Sequence, residues 1–375
     1  MLALVLLLAS LLAACRSKLV TFSNTQPKRD ASGAIMNAHD GTIQRFTAGG
    51  RFYYHAMGYP GNCNETGKIN GCTPCIYGTA NTISVFSSPD LSSGSWQLDS
   101  AVYPGPGGFP PCTYFRSQAV LNPATGLYVL WANVAGCDRS VHAHGPYAVA
   151  TAPAPGGPFT FRGFAAPPPA SIGNSSGTLG DYALLVDADG AGYGIFTLLT
   201  HGAGSRDMYV LGLQPDFLNF SASASSGILP GPKLVEAPSL LRRGQDYYAF
   251  LGGCTCMGLY GGGVAVLRAA HPLGPWALQS DAVDPGCAML RQSTCFEMGP
   301  GAVCNPVTQA QQNYVAAVPL ADGSVGHVWT GDRWQQSPDG AYDQQPQTWL
   351  PLGFDADGSV QQLQWVDEFT LDVAV

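Results

Sequence analysis

The chain has 375 residues and a formal net charge of −8 at neutral pH, with only 11% charged residues and no basic cluster, which excludes the electrostatic footprint of a nucleic-acid binder. Its 47 Gly and 29 Pro are spread along the whole length, so they mark many turns and exclude a disordered low-complexity tail. With 46% hydrophobic residues, a chain of this length can bury one large β architecture or two smaller domains.

Residues 1–15 open on the apolar run Met1 to Ala14 and give way to polar sequence at Arg16 and Ser17. The run is too short to cross a bilayer comfortably, so residues 1–15 are expected to be a signal peptide and residues 16–375 the mature domain. Leu12-Ala13-Ala14-Cys15 also fits a lipoprotein cleavage site, which would leave a lipid anchor on Cys15 at the cell surface. Cleavage leaves ten of the eleven cysteines, beside sequons at Asn64, Asn174 and Asn219. Both features predict a secreted, disulfide-bonded glycoprotein, and the cysteine connectivity is open. Cys72/Cys75 and Cys254/Cys256 lack a second pair at zinc-site spacing, and His142/His144 read as a loop pair rather than metal ligands.

Long helical periodicity is absent, and short β-rich runs bounded by Gly, Pro, Asn or Asp recur throughout. Five similar passages follow one another. The first opens on Asn37-Ala38-His39-Asp40-Gly41 and runs through Phe52-Tyr53-Tyr54 to Trp96; the second runs from Arg116 through Tyr128 to Trp131 and on to Phe159. The third carries Asp181 and the hairpin loop Asp187-Ala188-Asp189-Gly190, and the fourth carries Glu236-Ala237-Pro238, Tyr247-Tyr248 and Trp276. The fifth runs from Gln311 through Gly331-Asp332-Arg333-Trp334 and Trp349 to an outer strand at Val360 to Trp365. Periods of roughly 60 to 70 residues with four short strands each predict an all-β, five-bladed β-propeller that uses the whole mature chain. The competing architecture is an irregular pair of β-sandwiches.

The chain resembles glycoside hydrolase family 43 and its five-bladed relatives, the arabinanase and galactanase superfamily, particularly the exo-β-1,3-galactanase branch. The resemblance rests on Asn37 to Gly41 with Tyr53-Tyr54, Gly180-Asp181 with Val186 to Gly190, Glu236-Ala237-Pro238, and Gly331 to Trp334 followed by Trp349-Leu350-Pro351-Leu352. It implies an inverting glycosidase, in which one carboxylate activates water, a protonated carboxylic acid serves the leaving oxygen, and a third carboxylate raises the pKa of the acid. By motif, Asp40 is the implied general base, Glu236 the general acid and Asp181 the pKa modulator. His39, Gln311, Arg116, Tyr54 and Arg333 are the expected substrate contacts, and Trp329 and Trp349 are further aromatics that would stack on a sugar or fill the core.

Two departures bear on substrate. The galactanase branch typically has Gly where this chain has Asp40, with a fifth-blade Gln assisting water, and a Glu touching the sugar where this chain has Phe115 before Arg116. The implied activity is hydrolysis of O-glycosidic bonds in a galactan- or arabinan-type polysaccharide or glycoprotein glycan. The alternative is a sugar-binding, lectin-like propeller without turnover. No cofactor is required by this chemistry, and an axial calcium ion, held by some relatives, is supported by no residue of the sequence. The expected partner is a carbohydrate, not nucleic acid, and not a membrane unless the N-terminus is anchored; a monomer is expected.

Overall fold

A computed structural model describes residues 17–60, 81–137, 145–173, 175, 177–200, 206–232, 235–253, 261–279, 283, 307–338 and 340–375. The expected signal peptide, the Asn64 and Asn174 sequons, His142, His144 and every cysteine except Cys112 and Cys137 lie outside these residues.

The strand β1 (Ser17–Ser23) precedes five antiparallel sheets. Blade 1 contains β2 (His39–Arg45), β3 (Phe52–Gly58), β4 (Thr82–Ser88) and β5 (Gln97–Tyr103). Blade 2 contains β6 (Thr113–Leu121), β7 (Tyr128–Ala135), β8 (Tyr147–Ala152) and β9 (Thr160–Ala165). Blade 3 follows with β10 (Gly177–Val186), β11 (Gly192–Thr200), β12 (Arg206–Leu213) and β13 (Phe220–Ile228), and blade 4 with β14 (Val235–Arg243), β15 (Asp246–Gly253), β16 (Val264–Ala269) and β17 (Ala277–Leu278). Blade 5 has β18 (Gln311–Pro319), β19 (Val325–Asp332) and β20 (Gln347–Pro351). The final strand, β21 (Glu368–Ala374), returns to pair with β1 from Ser17↔Ala374 to Ser23↔Glu368. The protein is an all-β, five-bladed propeller.

Each blade is covered on both faces by its neighbours, so its inner strands are apolar almost without interruption, as in Val129-Leu130-Trp131-Ala132 of β7 and Tyr147-Ala148-Val149-Ala150 of β8. The outer strands β5, β9 and β13 expose half or more of their residues to solvent. Five buried clusters occupy the five junctions between blades. Between blades 2 and 3, Trp131, Tyr147, Tyr182, Phe196 and Phe220 pack together, and the two polar handles are satisfied by Trp131 Nε1 donating to Phe217 O at 2.9 Å and Tyr147 OH donating to Gly180 O at 2.9 Å. Comparable clusters join blades 1 and 2, 3 and 4, and 4 and 5.

The junction between blades 5 and 1 is closed by the terminal ribbon. Val20 and Phe22 of β1 and Val373 of β21 pack with Ile43, Phe52, Tyr54 and Trp96 of blade 1 and Val318, Val328 and Trp349 of blade 5. The side chain of Asn24 extends the ladder: its amide donates to Trp349 O and its oxygen accepts the Trp349 N–H, both at 2.8 Å. In the fifth blade the outer strand expected at residues 360–365 is absent. That segment bonds blade 4 instead, with Gln279 and Val360 exchanging two 2.8 Å hydrogen bonds and Leu363 N–H donating to Val283 O at 2.9 Å. Val360 and Leu363 are thereby buried between blades 4 and 5. In blade 2, Cys112, just before β6, is disulfide-bonded to Cys137, just after β7.

Candidate active site

The five innermost strands share one irregularity. Each gains an extra residue against its partner at the same level: between His39 and Thr42 in β2, Phe115 and Gln118 in β6, Leu179 and Tyr182 in β10, Glu236 and Ser239 in β14, and Gln312 and Tyr314 in β18. A β-bulge re-aims the side chains beside it. Here five bulges re-aim them toward the propeller axis together.

Three of the bulges carry a left-handed non-Gly residue: Asp40 at φ 50°, Arg116 at φ 48° and Ala237 at φ 49°. Such conformations cost about 1–2 kcal/mol for Arg or Ala and persist only where surrounding structure enforces them. The packing around Gly41 shows how tightly it does so, since a Cβ there would meet the Tyr54 ring at 2.3 Å and His55 O at 2.5 Å.

These side chains, with backbone groups and neighbours from β12 and β19, form a closed chain of contacts. Arg116 from blade 2 pairs through NH2 with Asp40 Oδ1 and through Nε with Asp181 Oδ1, both at 3.1 Å. The other Asp181 oxygen accepts the N–H of Ala237 at 3.0 Å, next to Glu236. Glu236 pairs with Arg206 NH1 at 3.0 Å and accepts from Gln311 Nε2 at 2.9 Å, and Gln311 in turn accepts from Trp334 Nε1 at 2.6 Å. The circle returns through Asp332, which pairs with Gln311 across the β18–β19 ladder. Asp332 Oδ2 accepts the backbone N–H of Asp40 at 2.7 Å and Asn313 Nδ2 at 2.6 Å.

Four carboxyls and two guanidiniums therefore share a nearly dry space, with side-chain exposures of 10% for Asp40, 14% for Asp181, 8% for Glu236, 5% for Arg116 and 13% for Arg206. Burial pushes the Asp40 carboxyl up to about 8; Arg116 opposes this, and the neighbouring Asp332, Asp181 and Glu236 add to it. For Arg116, burial works against the charge, but Asp181, Asp40, Glu236 and Asp332 outweigh it and raise its pKa. The arrangement holds four carboxyl groups, with Asp40 raised by burial, around one small volume, where acid–base chemistry on a bond can be built.

Of the residues singled out in the sequence, Asp40, Asp181, Glu236, Arg116 and Gln311 all join this ring. His39 stands behind it, fully buried, with Tyr59 and Trp334 rings at centroid distances of 5.1 and 5.8 Å. Tyr54 does not join. It lies in the core between blades 5 and 1 and donates to Ala38 O at 3.2 Å. Arg333 turns away toward the terminal segment, donating to Asn24 O and Gln336 Oε1 at 2.9 Å and lying over the Trp365 ring. Trp329 and Trp349 are core residues, the former bonded to Gln312 and the latter under the ammonium of Lys28. Asp332, Asn313 and Arg206 are ring members that sequence reasoning missed. Asp332 lies inside the motif Gly331 to Trp334, beside an Arg and a Trp whose side chains suit sugars more plainly; Arg206 has no motif around it.

Neither a protein-family model nor any curated protein matches the sequence. Solved structures do match the fold. An exo-β-1,3-galactanase from Clostridium thermocellum superposes with a TM-score of 0.67 at 21% identity, over 95% of this chain and 68% of that one. A variant exo-β-1,3-galactanase from Phanerochaete chrysosporium, in complex with β-1,3-galactotriose, gives 0.67 at 17% identity over 94% and 69%. A putative exo-β-1,3-galactanase from Bifidobacterium bifidum gives 0.63 at 20% identity over 93% and 97%. A family 43 β-1,3-galactosidase solved with galactodeoxynojirimycin gives 0.63 at 20% identity over 92% and 99%. The chain thus has the five-bladed propeller fold of the glycoside hydrolase family 43 galactanases and galactosidases.

Proposed function

We propose that the protein is a glycoside hydrolase that cleaves O-glycosidic bonds of a β-galactan-type polysaccharide or glycan with inversion, acting outside the cell after removal of residues 1–15. The observation that carries this reading is the ring itself: three bulged strands bring Asp40, Asp181 and Glu236 into one linked cluster, with Arg116 between the two aspartates. The galactan class is taken from the substrates named for the structural neighbours.

In this mechanism Glu236 protonates the leaving oxygen while Asp40 takes a proton from the attacking water. Asp181, bonded to the backbone N–H that follows Glu236, keeps a negative charge beside the acid, which favours its protonated form. Gln311, held by Trp334 and donating to Glu236, fixes the orientation of that carboxyl. Burial favours the proton on Asp40. Turnover therefore requires substrate binding to release that proton from Asp40 and to open the Arg206–Glu236 pair.

The test is release of reducing sugar from β-1,3-galactan and related β-galactans. Wild type is expected to hydrolyse at least one of them. Glu236→Gln and Asp40→Asn are each expected to lower kcat by about 10³-fold, within the range that general acid–base groups contribute. Binding of a galactan oligosaccharide without hydrolysis by wild type would assign the site to sugar recognition alone.

A further inference from the structure

Asp332 is the last residue of β19 and is completely buried. Its Oδ2 accepts two short hydrogen bonds, from the Asp40 N–H and from Asn313 Nδ2. The first of these reaches the left-handed residue of the blade 1 bulge. The second reaches the extra residue of the blade 5 bulge. One carboxylate oxygen therefore ties together two of the five distortions on which the ring is built. Among the described residues its Oδ1 has no hydrogen-bond partner and lies 3.7 Å from His39 Nδ1, and neither ring nitrogen of His39 has one either.

We propose that Asp332 is the positioning residue for Asp40: it holds the Asp40 backbone in its left-handed turn, so that the carboxyl meets Arg116, and it fixes a negative charge directly behind that carboxyl. This deepens the hydrolase reading and rests on it for its kinetic consequences only. A negative charge behind Asp40 disfavours loss of its proton, in the same direction as burial. Among the described residues the charged groups facing Asp40 are Arg116 on β6, Asp181 on β10, Glu236 on β14 and Asp332 on β19. His39 faces Asp332 from the same strand as Asp40, Lys28 faces it from the segment after β1, and Tyr54 faces both aspartates from β3.

The test uses the full chain carrying carboxyl-¹³C aspartate, with the Asp40 resonance identified by its loss in Asp40→Asn. In Asp332→Asn the remaining carbonyl can keep both accepted hydrogen bonds while the charge is gone. The Asp40 ionisation midpoint is expected to fall by about one pH unit, the size of a close charge contribution; an unmoved midpoint overturns the proposal. The kinetic arm compares Asp332→Ala with Asp332→Asn. Loss of the acceptor in Ala is expected to lower kcat about 100-fold with KM nearly unchanged, since small misplacements of a reacting group have that effect, and Asn is expected to restore most of it. Equal activity in wild type, Ala and Asn overturns the positioning role. Should wild type hydrolyse no galactan, the hydrolase reading fails while the titration still decides whether Asp332 governs Asp40.

Discussion

The two ends of the same inner strands differ in construction. At the end where β2, β6, β10 and β14 begin, every strand is bulged, the side chains are charged and the groups are linked into a ring around Arg116 and Glu236. At the far end the ladders run regularly into their turns, and a cavity of about 560 Å³ is lined by Phe46, Val120, Leu121, Leu184, Val186 and Tyr314 among others. Arg45, Asp187 and Asp189 also line that cavity, but none of them belongs to the ring around Arg116 and Glu236. In this fold the ionisable groups gather where the strands depart from regular geometry, since a bulge re-aims the side chains beside it.

Three changes would break or sharpen that contrast. The largest effect is expected from Arg116→Met, which leaves Asp40 and Asp181 buried without their shared cation. Removing one partner of such a pair costs about 3–5 kcal/mol, readable in urea denaturation, and any remaining activity should begin at higher pH because Arg116 is what favours ionised Asp40. A variant of unchanged stability would show that the ring is not the electrostatic unit described.

The pH dependence of stability is the next in size. Asp40 takes up a proton on folding because burial raises its carboxyl from 3.8 to about 8. Between about pH 4 and 8 the native state therefore holds a proton that the unfolded state has released, and this group makes stability fall as pH rises through that window, by up to ~1.4 kcal/mol per pH unit. Asp40→Asn is expected to lose this component, so its thermal midpoint should overtake that of wild type as pH increases from 4 to 8. Parallel curves would contradict the assignment of the buried proton to Asp40.

The smallest effect belongs to the far end. Asp189 accepts the Ala191 N–H at 2.9 Å in the β10–β11 turn. Asp189→Ala should lower stability by about 1 kcal/mol or less and leave hydrolysis within about twofold of wild type. A large loss of activity would place function at both ends of the axis.

Much of this architecture could be read along the chain, because a propeller repeats a local pattern. Gly-bearing turns such as Asp187 to Gly190 and aromatic strands such as Tyr128 to Trp131 announce themselves within a dozen residues. Asp40, Asp181 and Glu236 stood in short motifs at the beginnings of three blades. What escaped was long-range. The pairing of Thr21 with Thr370 has no local signature, so the closing ribbon was not foreseen. Residues 360–365 alternate well enough for a strand, yet Gln279 and Val283 of blade 4 capture them. Tyr54 and Arg333 carry side chains suited to sugars, but a β3 position facing the terminal ribbon buries the first and Asn24 engages the second. Asp332 has no local signature either, since its partner, the backbone N–H of Asp40, lies in another blade 292 residues away in sequence.

The most direct test of the carboxylate ring as a hydrolytic site is ¹H NMR of the anomeric protons during the first minutes of β-1,3-galactan hydrolysis. If Asp40 activates water opposite the leaving group protonated by Glu236, the first new signal belongs to the α-anomer, and the β-anomer grows in later by mutarotation. First appearance of the β-anomer, or undiminished release by Asp40→Asn, would contradict the account.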